Sequence, residues 1–204
     1  MSYAVSISGM ILAGGNSSRM GQDKALIPVA GTPLLQLIVE IALQCTQTVQ
    51  IVTPWPQRYQ PLFTNYPQLS DHCHFIEEMR SPNDPAPPGP LVGFAQGLLE
   101  VKTEWVLLLA CDLPNLQKSV LQSAIEQLSE VPGDAIALLF HSDLGWEPLC
   151  GFYRQQCVHS LNKFMQQGGR SFQTWLQSEK VQQWFPSDTT IFFNCNTPKD
   201  LNQL

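Results

Sequence analysis

Positive charge is scarce in this chain and nowhere concentrated. The 204 residues carry 11 lysines and arginines against 17 aspartates and glutamates, a formal net charge of −6. Without a basic stripe or cluster the chain is not read as a nucleic-acid binder, because that mode needs many cations along one face. Any phosphate it binds must be held locally rather than by an overall positive field. The six cysteines (Cys45, Cys73, Cys111, Cys150, Cys157, Cys195) lie far apart with no C-x-x-C pair, and no secretory leader is recognisable. A reducing cytoplasm is therefore expected. Long hydrophobic runs are missing too: glycines at 9, 14 and 15 interrupt the apolar start, and nothing reaches the length of a membrane span.

Two familiar phosphate signatures are also missing. The P-loop, G-x-x-x-x-G-K-[ST], fails because no glycine directly precedes Lys24, and G-x-G-x-x-G fails because Gly14 and Gly15 are adjacent. What stands there is Ile-Leu-Ala-Gly-Gly-Asn-Ser-Ser-Arg-Met-Gly-Gln-Asp-Lys over residues 11–24, directly after an apolar run. Gly14, Gly15 and Gly21 allow the backbone to approach a ligand and turn successive N–H groups toward phosphate oxygens. Arg19 and Lys24 add fixed positive charge. A plain surface turn is the competing reading, but it does not need two cations paired with the glycines.

With 44 % apolar residues, the chain can bury one core, and a single domain over 1–204 is expected. Val5 to Leu12 reads as a buried first strand. Thr32 as N-cap and Pro33 at the first helical position predict a helix to about Cys45. Strands are expected over 48–53 and 72–77, with at most one short helix in the proline-interrupted stretch between them. Five prolines in residues 81–90 predict an extended loop. Beyond it the pattern predicts helix 91–101, strand 105–110, helix 115–129, strand 134–140, a strand near 148–152, helices 154–167 and 171–180, a last strand 191–194 and a helix opening at Thr197. Strands alternating with helices imply an α/β fold with a mostly parallel sheet covered on both faces.

Asp112 stands at the carboxyl end of the most apolar strand, where ligands of open α/β sheets bind, and the glycine loop leaves the first strand from the same edge. A carboxylate beside a polyphosphate calls for a cation between them, and Mg²⁺ suits one carboxylate plus phosphate oxygens. The alternative is that Asp112 merely caps the following helix, since Asp before Pro is a common helix opening.

Leu12-Ala13-Gly14-Gly15, Ser18-Arg19-Met20-Gly21, Lys24, Gly89-Pro90-Leu91-Val92-Gly93 and Cys111-Asp112-Leu113-Pro114 together resemble the signature of the nucleotidyltransferases of cofactor biosynthesis. The likeness is nearest to the molybdenum cofactor guanylyltransferases, MobA type, and extends to Asn194-Cys195-Asn196-Thr197-Pro198-Lys199-Asp200-Leu201. It implies a Rossmann-like, nucleotide-diphospho-sugar transferase-like fold and transfer of GMP from GTP to the molybdopterin cofactor, with release of pyrophosphate. Lys24, Arg19 and Asp112 carry catalysis by that resemblance. Leu12, Ala13, Gly14, Gly15, Lys24, Glu78 and Asp112 bind the nucleotide, and Asp112 holds Mg²⁺. Guanine is favoured because GTP-using members carry Leu-Ala-Gly-Gly and Gly-Pro-Leu-x-Gly. The resemblance also allows transient contact with molybdenum cofactor assembly proteins or molybdoenzymes.

The chain departs from that pattern in places. Glu78 stands in for an Asp, ahead of a proline-rich insertion containing Asp84, and Thr53-Pro54 replaces an Asn. Arg170, Asn194 and Asn196 lie in segments the family uses near the pterin. A related transferase using CTP or a sugar or alditol phosphate remains the enzyme alternative, and a non-catalytic GTP-binding accessory protein the alternative of another class. Zinc at His72-Cys73-His74 is disfavoured because on a strand Cys73 faces away from both histidines. Ser142 between His141 and Asp143 lacks a nucleophile elbow. The five tryptophans read as core or pocket walls.

Overall fold

The computed structural model describes residues 5–15, 21–64, 66–79 and 89–201. In chain order the strands and helices are β1 (Ile7–Leu12), β2 (Pro28–Val29), β3 (Thr32–Pro33), α1 (Leu34–Leu43), β4 (Val49–Thr53), α2 (Pro56–Tyr59), α3 (Pro67–Ser70), β5 (Cys73–Glu77), α4 (Pro90–Leu98) and β6 (Trp105–Ala110). They continue with α5 (Lys118–Gln127), β7 (Ala137–Ser142), β8 (Gly145–Trp146), β9 (Cys150–Arg154), α6 (Val158–Gln166), α7 (Phe172–Gln177), β10 (Val181–Trp184) and α8 (Pro198–Leu201).

The main sheet has the order β10-β7-β9-β6-β1-β4-β5, with β8 paired to β7. β6 is buried at every residue because β1 and β9 flank it and helices cover both faces, which is why it reads as an unbroken apolar run. Alternation along the central strands feeds two separate cores. Ile11, Ile51, Leu107 and Leu109 pack with α1 and α5 on one face. Met10, Val52, Val106 and Leu108 pack with α4, α6 and α7 on the other. α4 lies close to the sheet: a Cβ on Gly97 would sit 2.6 Å from Met10, so only glycine fits there without a shift. The α/β reading of the sequence holds, with β9 running antiparallel to both β6 and β7.

Several boundaries differ for local reasons. Thr32 does not cap α1. It pairs with Val29 in a hairpin closed by Ala30 (φ 49°) and Gly31 (φ 88°), both in the positive-φ conformation that a two-residue hairpin turn needs. Pro33 is the residue before the helix, with no side-chain cap. The proline-interrupted stretch forms two one-turn helices rather than one, each opened by a proline. α4 starts and ends earlier than expected. α5 is shorter at both ends, its last turn tightening into a 3₁₀ turn over Leu128–Glu130. α6 and α7 are likewise shorter, and α6 follows a 3₁₀ turn over Gln155–Cys157.

β7 begins at Ala137, after a turn in which Ala135 N–H bonds the Pro132 carbonyl, and β9 begins two residues later than expected. The expected last strand at 191–194 is a 3₁₀ turn over Thr190–Phe192 instead. Its apolar residues are buried by packing, Phe192 stacking on Phe140 at 4.6 Å, while the edge beside β7 is taken by β10. Among the described residues no helix is long and apolar enough to cross a membrane. The predicted proline loop and Asp84 fall largely outside the described residues.

Candidate active site

β1 is parallel and in register with β4 and β6, Leu12 lying opposite Val52 on one side and Ala110 on the other. Their carboxyl ends therefore share one edge, and the segments leaving them are stitched together. Ala13 N–H donates to the Val52 carbonyl (2.9 Å), the buried Thr53 hydroxyl donates to the Ala13 carbonyl (2.8 Å), and Glu78 N–H donates to the Thr53 carbonyl (2.9 Å). Thr53, to which the sequence assigned no role, thus fixes where the glycine loop begins.

A cleft of about 230 Å³ opens along this edge. Leu12, Ala13, Gly14, Gly15, Lys24, Glu78 and Asp112 all line it, so the predicted nucleotide-binding set comes together; Gly89, Pro90 and Gly93 line it too. Arg19, with the rest of residues 16–20, lies outside the described residues. The Glu78 carboxylate lies over two glycines: a Cβ on Gly14 would stand 2.7 Å from Glu78 Oε2, and one on Gly93 3.5 Å from it. The glycines make the space that the carboxylate occupies. The turn carrying Arg170 also approaches, its carbonyl oxygen 3.9 Å from where a Cβ on Gly89 would be.

Lys24 and Asp112 meet at the mouth of the cleft, Nζ lying 3.2 Å from Asp112 Oδ2, with both side chains about five-sixths buried at 17 % and 16 % exposure. Lys24 Nζ also donates to Asn196 Oδ1 at 2.5 Å. Asn196 is set in turn by Asp200, whose Oδ2 accepts from the backbone N–H groups of Asn196 and Thr197, both at 2.7 Å. Asp112 does not cap α5, which opens six residues later at Lys118 after Gln117. Its carboxylate turns to Lys24, and its carbonyl accepts from Cys195 N–H (3.0 Å).

Asp23, unassigned in the sequence, fixes the turn that carries Lys24. Its Oδ1 accepts from Ala25 N–H (3.1 Å), capping the 3₁₀ turn Lys24–Leu26. Its Oδ2 accepts from Arg58 Nη1 and from the Tyr59 hydroxyl, both at 2.8 Å. Arg58 also stacks over Trp55, 4.4 Å from the ring centroid. Burial first, then the hydrogen bond to Asp23, push the Tyr59 hydroxyl pKa well up, so it stays a donor. The local signal was present: an aspartate directly before Lys-Ala-Leu is an N-cap placement. Cys111 also lines the cleft, but burial raises its thiol pKa far above neutrality, leaving it protonated and a poor nucleophile.

Among the described residues no group of three or more His, Cys, Asp or Glu is placed to hold a metal ion. Asp112 lines the cleft, and its Oδ1 has no hydrogen-bond partner among the described residues. That donor set fits a hard cation completing its shell with phosphate oxygens and water, not an all-protein cage. The disfavoured clusters stay apart: Cys73 is buried while His72 and His74 are exposed, and the Ser142 hydroxyl is engaged by Glu147 at 3.0 Å. Trp105, Trp175 and Trp184 are fully buried core residues.

Similarity to known proteins extends over most of the chain. The family described as MobA-like NTP transferase domain matches residues 9–181. A Nostoc protein named "Probable molybdenum cofactor guanylyltransferase" is 56 % identical over 195 residues, covering 96 % of this chain and 88 % of that protein. A Synechococcus elongatus protein of the same name is 40 % identical, covering 98 % of each. The crystal structure of molybdopterin-guanine dinucleotide biosynthesis protein A from Archaeoglobus fulgidus shares the fold, with a TM-score of 0.75 at 22 % identity over 96 % of this chain and 95 % of that one. With the family matching most of its length, from β1 through the start of β10, the chain belongs to the MobA-like NTP transferases.

Proposed function

We propose that the chain, acting as one domain over residues 1–204, transfers GMP from GTP to the molybdopterin cofactor, giving the guanine dinucleotide cofactor and pyrophosphate. The observation that carries this reading is the Lys24–Asp112 pair at the mouth of the glycine-lined cleft. The names of the relatives supply the acceptor.

In this reading the acceptor's terminal phosphate oxygen forms a bond to the α-phosphorus as the bond to the β-phosphate oxygen breaks, and the electron pair leaves with pyrophosphate. No side-chain nucleophile is needed, because the attacking phosphate is already ionised. Lys24 exchanges its contact with Asp112 for a non-bridging α-phosphate oxygen, while Asn196 continues to aim it. The N–H groups of Gly14 and Gly15, with Arg19, hold the leaving pyrophosphate. Asp112 is the residue to hold Mg²⁺, which when bound offsets the repulsion between carboxylate and phosphates.

Glu78 reads the base. Guanine offers two adjacent donors, N1–H and its exocyclic amine, to a carboxylate, whereas cytosine sets an acceptor beside its single amine. The six cysteines form no disulfide, which suits a reducing cytoplasm. Contacts with molybdenum cofactor assembly proteins or molybdoenzymes are transient, and neither nucleic acid nor membrane takes part.

The test is pyrophosphate release from purified protein with Mg²⁺, molybdopterin cofactor and either GTP or CTP. GTP is expected to be strongly preferred. A preference for CTP would overturn the base assignment. Tight GTP binding without pyrophosphate release would leave a non-catalytic accessory protein instead.

A further inference from the structure

The backbone around Glu78 is tied down on both sides in sequence. Glu78 N–H donates to the Thr53 carbonyl (2.9 Å) at the end of β4. The next residue, Met79, is gripped by a side chain instead of a strand. Gln96 Oε1 accepts from Met79 N–H and Gln96 Nε2 donates to the Met79 carbonyl, both at 2.8 Å. Met79 is 70 % exposed, so the amide rather than packing holds its backbone. A backbone N–H only donates and a carbonyl only accepts, which fixes the way the Gln96 amide points. A carboxylate or a hydrocarbon of the same length could not supply both halves of the grip.

The element that supplies this amide is itself firmly seated. Gln96 follows Gly93 by three residues on α4, so the two share a helix face. Gly93 leaves room for the Glu78 carboxylate, a Cβ there standing 3.5 Å from Oε2. Gly97, the neighbour of Gln96, brings α4 hard against the sheet: a Cβ on it would lie 2.6 Å from Met10 and 3.0 Å from Val52. Met10 and Val52 belong to β1 and β4, the strands whose ends carry the glycine loop and Thr53. One helix thus makes the space for the carboxylate and anchors its backbone, both relative to the strands that end at the cleft. Gln96 itself does not line the cleft, so any effect it has on a nucleotide passes through Glu78.

We infer that Gln96 is a specificity-determining positioning residue: by clamping Met79 it fixes the Glu78 carboxylate over Gly14 and Gly93, and so sets the choice of base. The inference rests on the proposed reading of the base by Glu78. Two parallel hydrogen bonds, to guanine N1–H and to its exocyclic amine, tolerate little displacement of the carboxylate. The same fixed carboxylate sets an oxygen against the ring acceptor of cytosine. Once released, it keeps one bond to guanine at most and swings away from that acceptor. GTP then loses and CTP gains, so the clamp acts on the difference between the two nucleotides rather than on the transfer step.

The test measures kcat and KM with GTP and with CTP for wild type, Gln96→Ala, Gln96→Glu, Glu78→Ala and the Glu78→Ala, Gln96→Ala double variant of the full chain. In Gln96→Ala the ratio of kcat/KM values, GTP over CTP, is expected to fall about tenfold, chiefly through a higher KM for GTP. Gln96→Glu keeps the length but turns a carboxylate toward the Met79 carbonyl, and its ratio should fall about as far. With Glu78 gone the clamp has nothing to position, so adding Gln96→Ala to Glu78→Ala should move the ratio by less than about twofold. If Glu78→Ala lowers the ratio and Gln96→Ala does not, the inference is overturned and the base reading stands. Equal losses with GTP and CTP, the mark of general destabilisation, overturn it too, as does a full tenfold effect of Gln96→Ala without Glu78. A ratio that Glu78→Ala leaves unmoved strikes the base reading and the inference with it. If Gln96→Ala does not fold, Gln96→Glu decides in the same way. Should the wild type release no pyrophosphate, which strikes the proposed transfer, calorimetric affinities for GTP and CTP supply the same ratio.

Discussion

Lys24 Nζ lies 3.2 Å from Asp112 Oδ2, although 88 positions separate the two residues. With Asn196 Oδ1 as a second acceptor, the ammonium is held in place before any ligand arrives. Preorganised charge of this kind is worth more than the same charge on a mobile side chain, because no reorganisation is needed at the moment of reaction.

Lys24→Ala should therefore lower kcat by about 10²–10³-fold, as for removal of one preorganised donor, while GTP still binds. Pyrophosphate-release kinetics together with calorimetric GTP binding check both halves. Normal turnover would remove Lys24 from the mechanism.

Asp112→Asn keeps the shape of the side chain and removes its charge. Turnover should fall by about 10²-fold or more, with the Mg²⁺ concentration for half-maximal rate rising. In the wild type, EDTA should abolish turnover and added Mg²⁺ restore it. Activity that survives chelation would argue for transfer without a metal.

Gly14→Ala places a Cβ 2.7 Å from Glu78 Oε2 and 3.1 Å from Pro54. The glutamate must move, so the KM for GTP should rise by about tenfold or more with a smaller change in kcat. Glu78→Gln should narrow the preference for GTP over CTP, measured as the ratio of kcat/KM values. If Gly14→Ala leaves the KM for GTP unaltered, Glu78 does not lie against the nucleotide.

Tyr59→Phe removes the buried hydroxyl that donates to Asp23 Oδ2 and should cost about 1–2 kcal/mol in urea unfolding, with a fall in kcat as the turn carrying Lys24 loses part of its support. Arg58→Ala should cost less, about 0–1 kcal/mol, because Arg58 is 44 % exposed and its ion pair is screened. Equal costs would show that the buried hydroxyl adds nothing beyond the ion pair.

Burial raises the Cys73 thiol from 9.0 to about 11, and raises the thiols of Cys150 and Cys157 as well. In the unfolded chain these thiols lose protons as pH passes 9, while the native protein keeps them. The unfolded state then binds fewer protons, so stability should fall as pH rises from about 9 toward 11. Urea midpoints across that range measure it, and a flat profile would contradict the burial of these thiols.

The sequence by itself determined the sheet's central strands and the chemistry at their ends. The unbroken apolar run of β6 marks a strand buried on both faces, and Gly14, Gly15, Lys24 and Asp112 stand next to strands whose boundaries local pattern resolves. The same reading was poor wherever identity depends on a distant partner. Ile191 and Phe192 have a strand's composition, yet they are buried by packing on Phe140 and Trp184 rather than by pairing, while the polar Val-Gln-Gln-Trp of β10 pairs with β7.

Thr32 looks like a helix cap until the Ala30-Gly31 turn folds it onto Val29. Only the tertiary structure decided that Asp23, Arg58 and Tyr59 steady Lys24, and that Asn196 reaches it from 172 positions away. The reason is physical: strand and loop propensity are local and leave a trace in neighbouring residues, whereas a hydrogen bond between side chains far apart in sequence exists only once both backbones are in place.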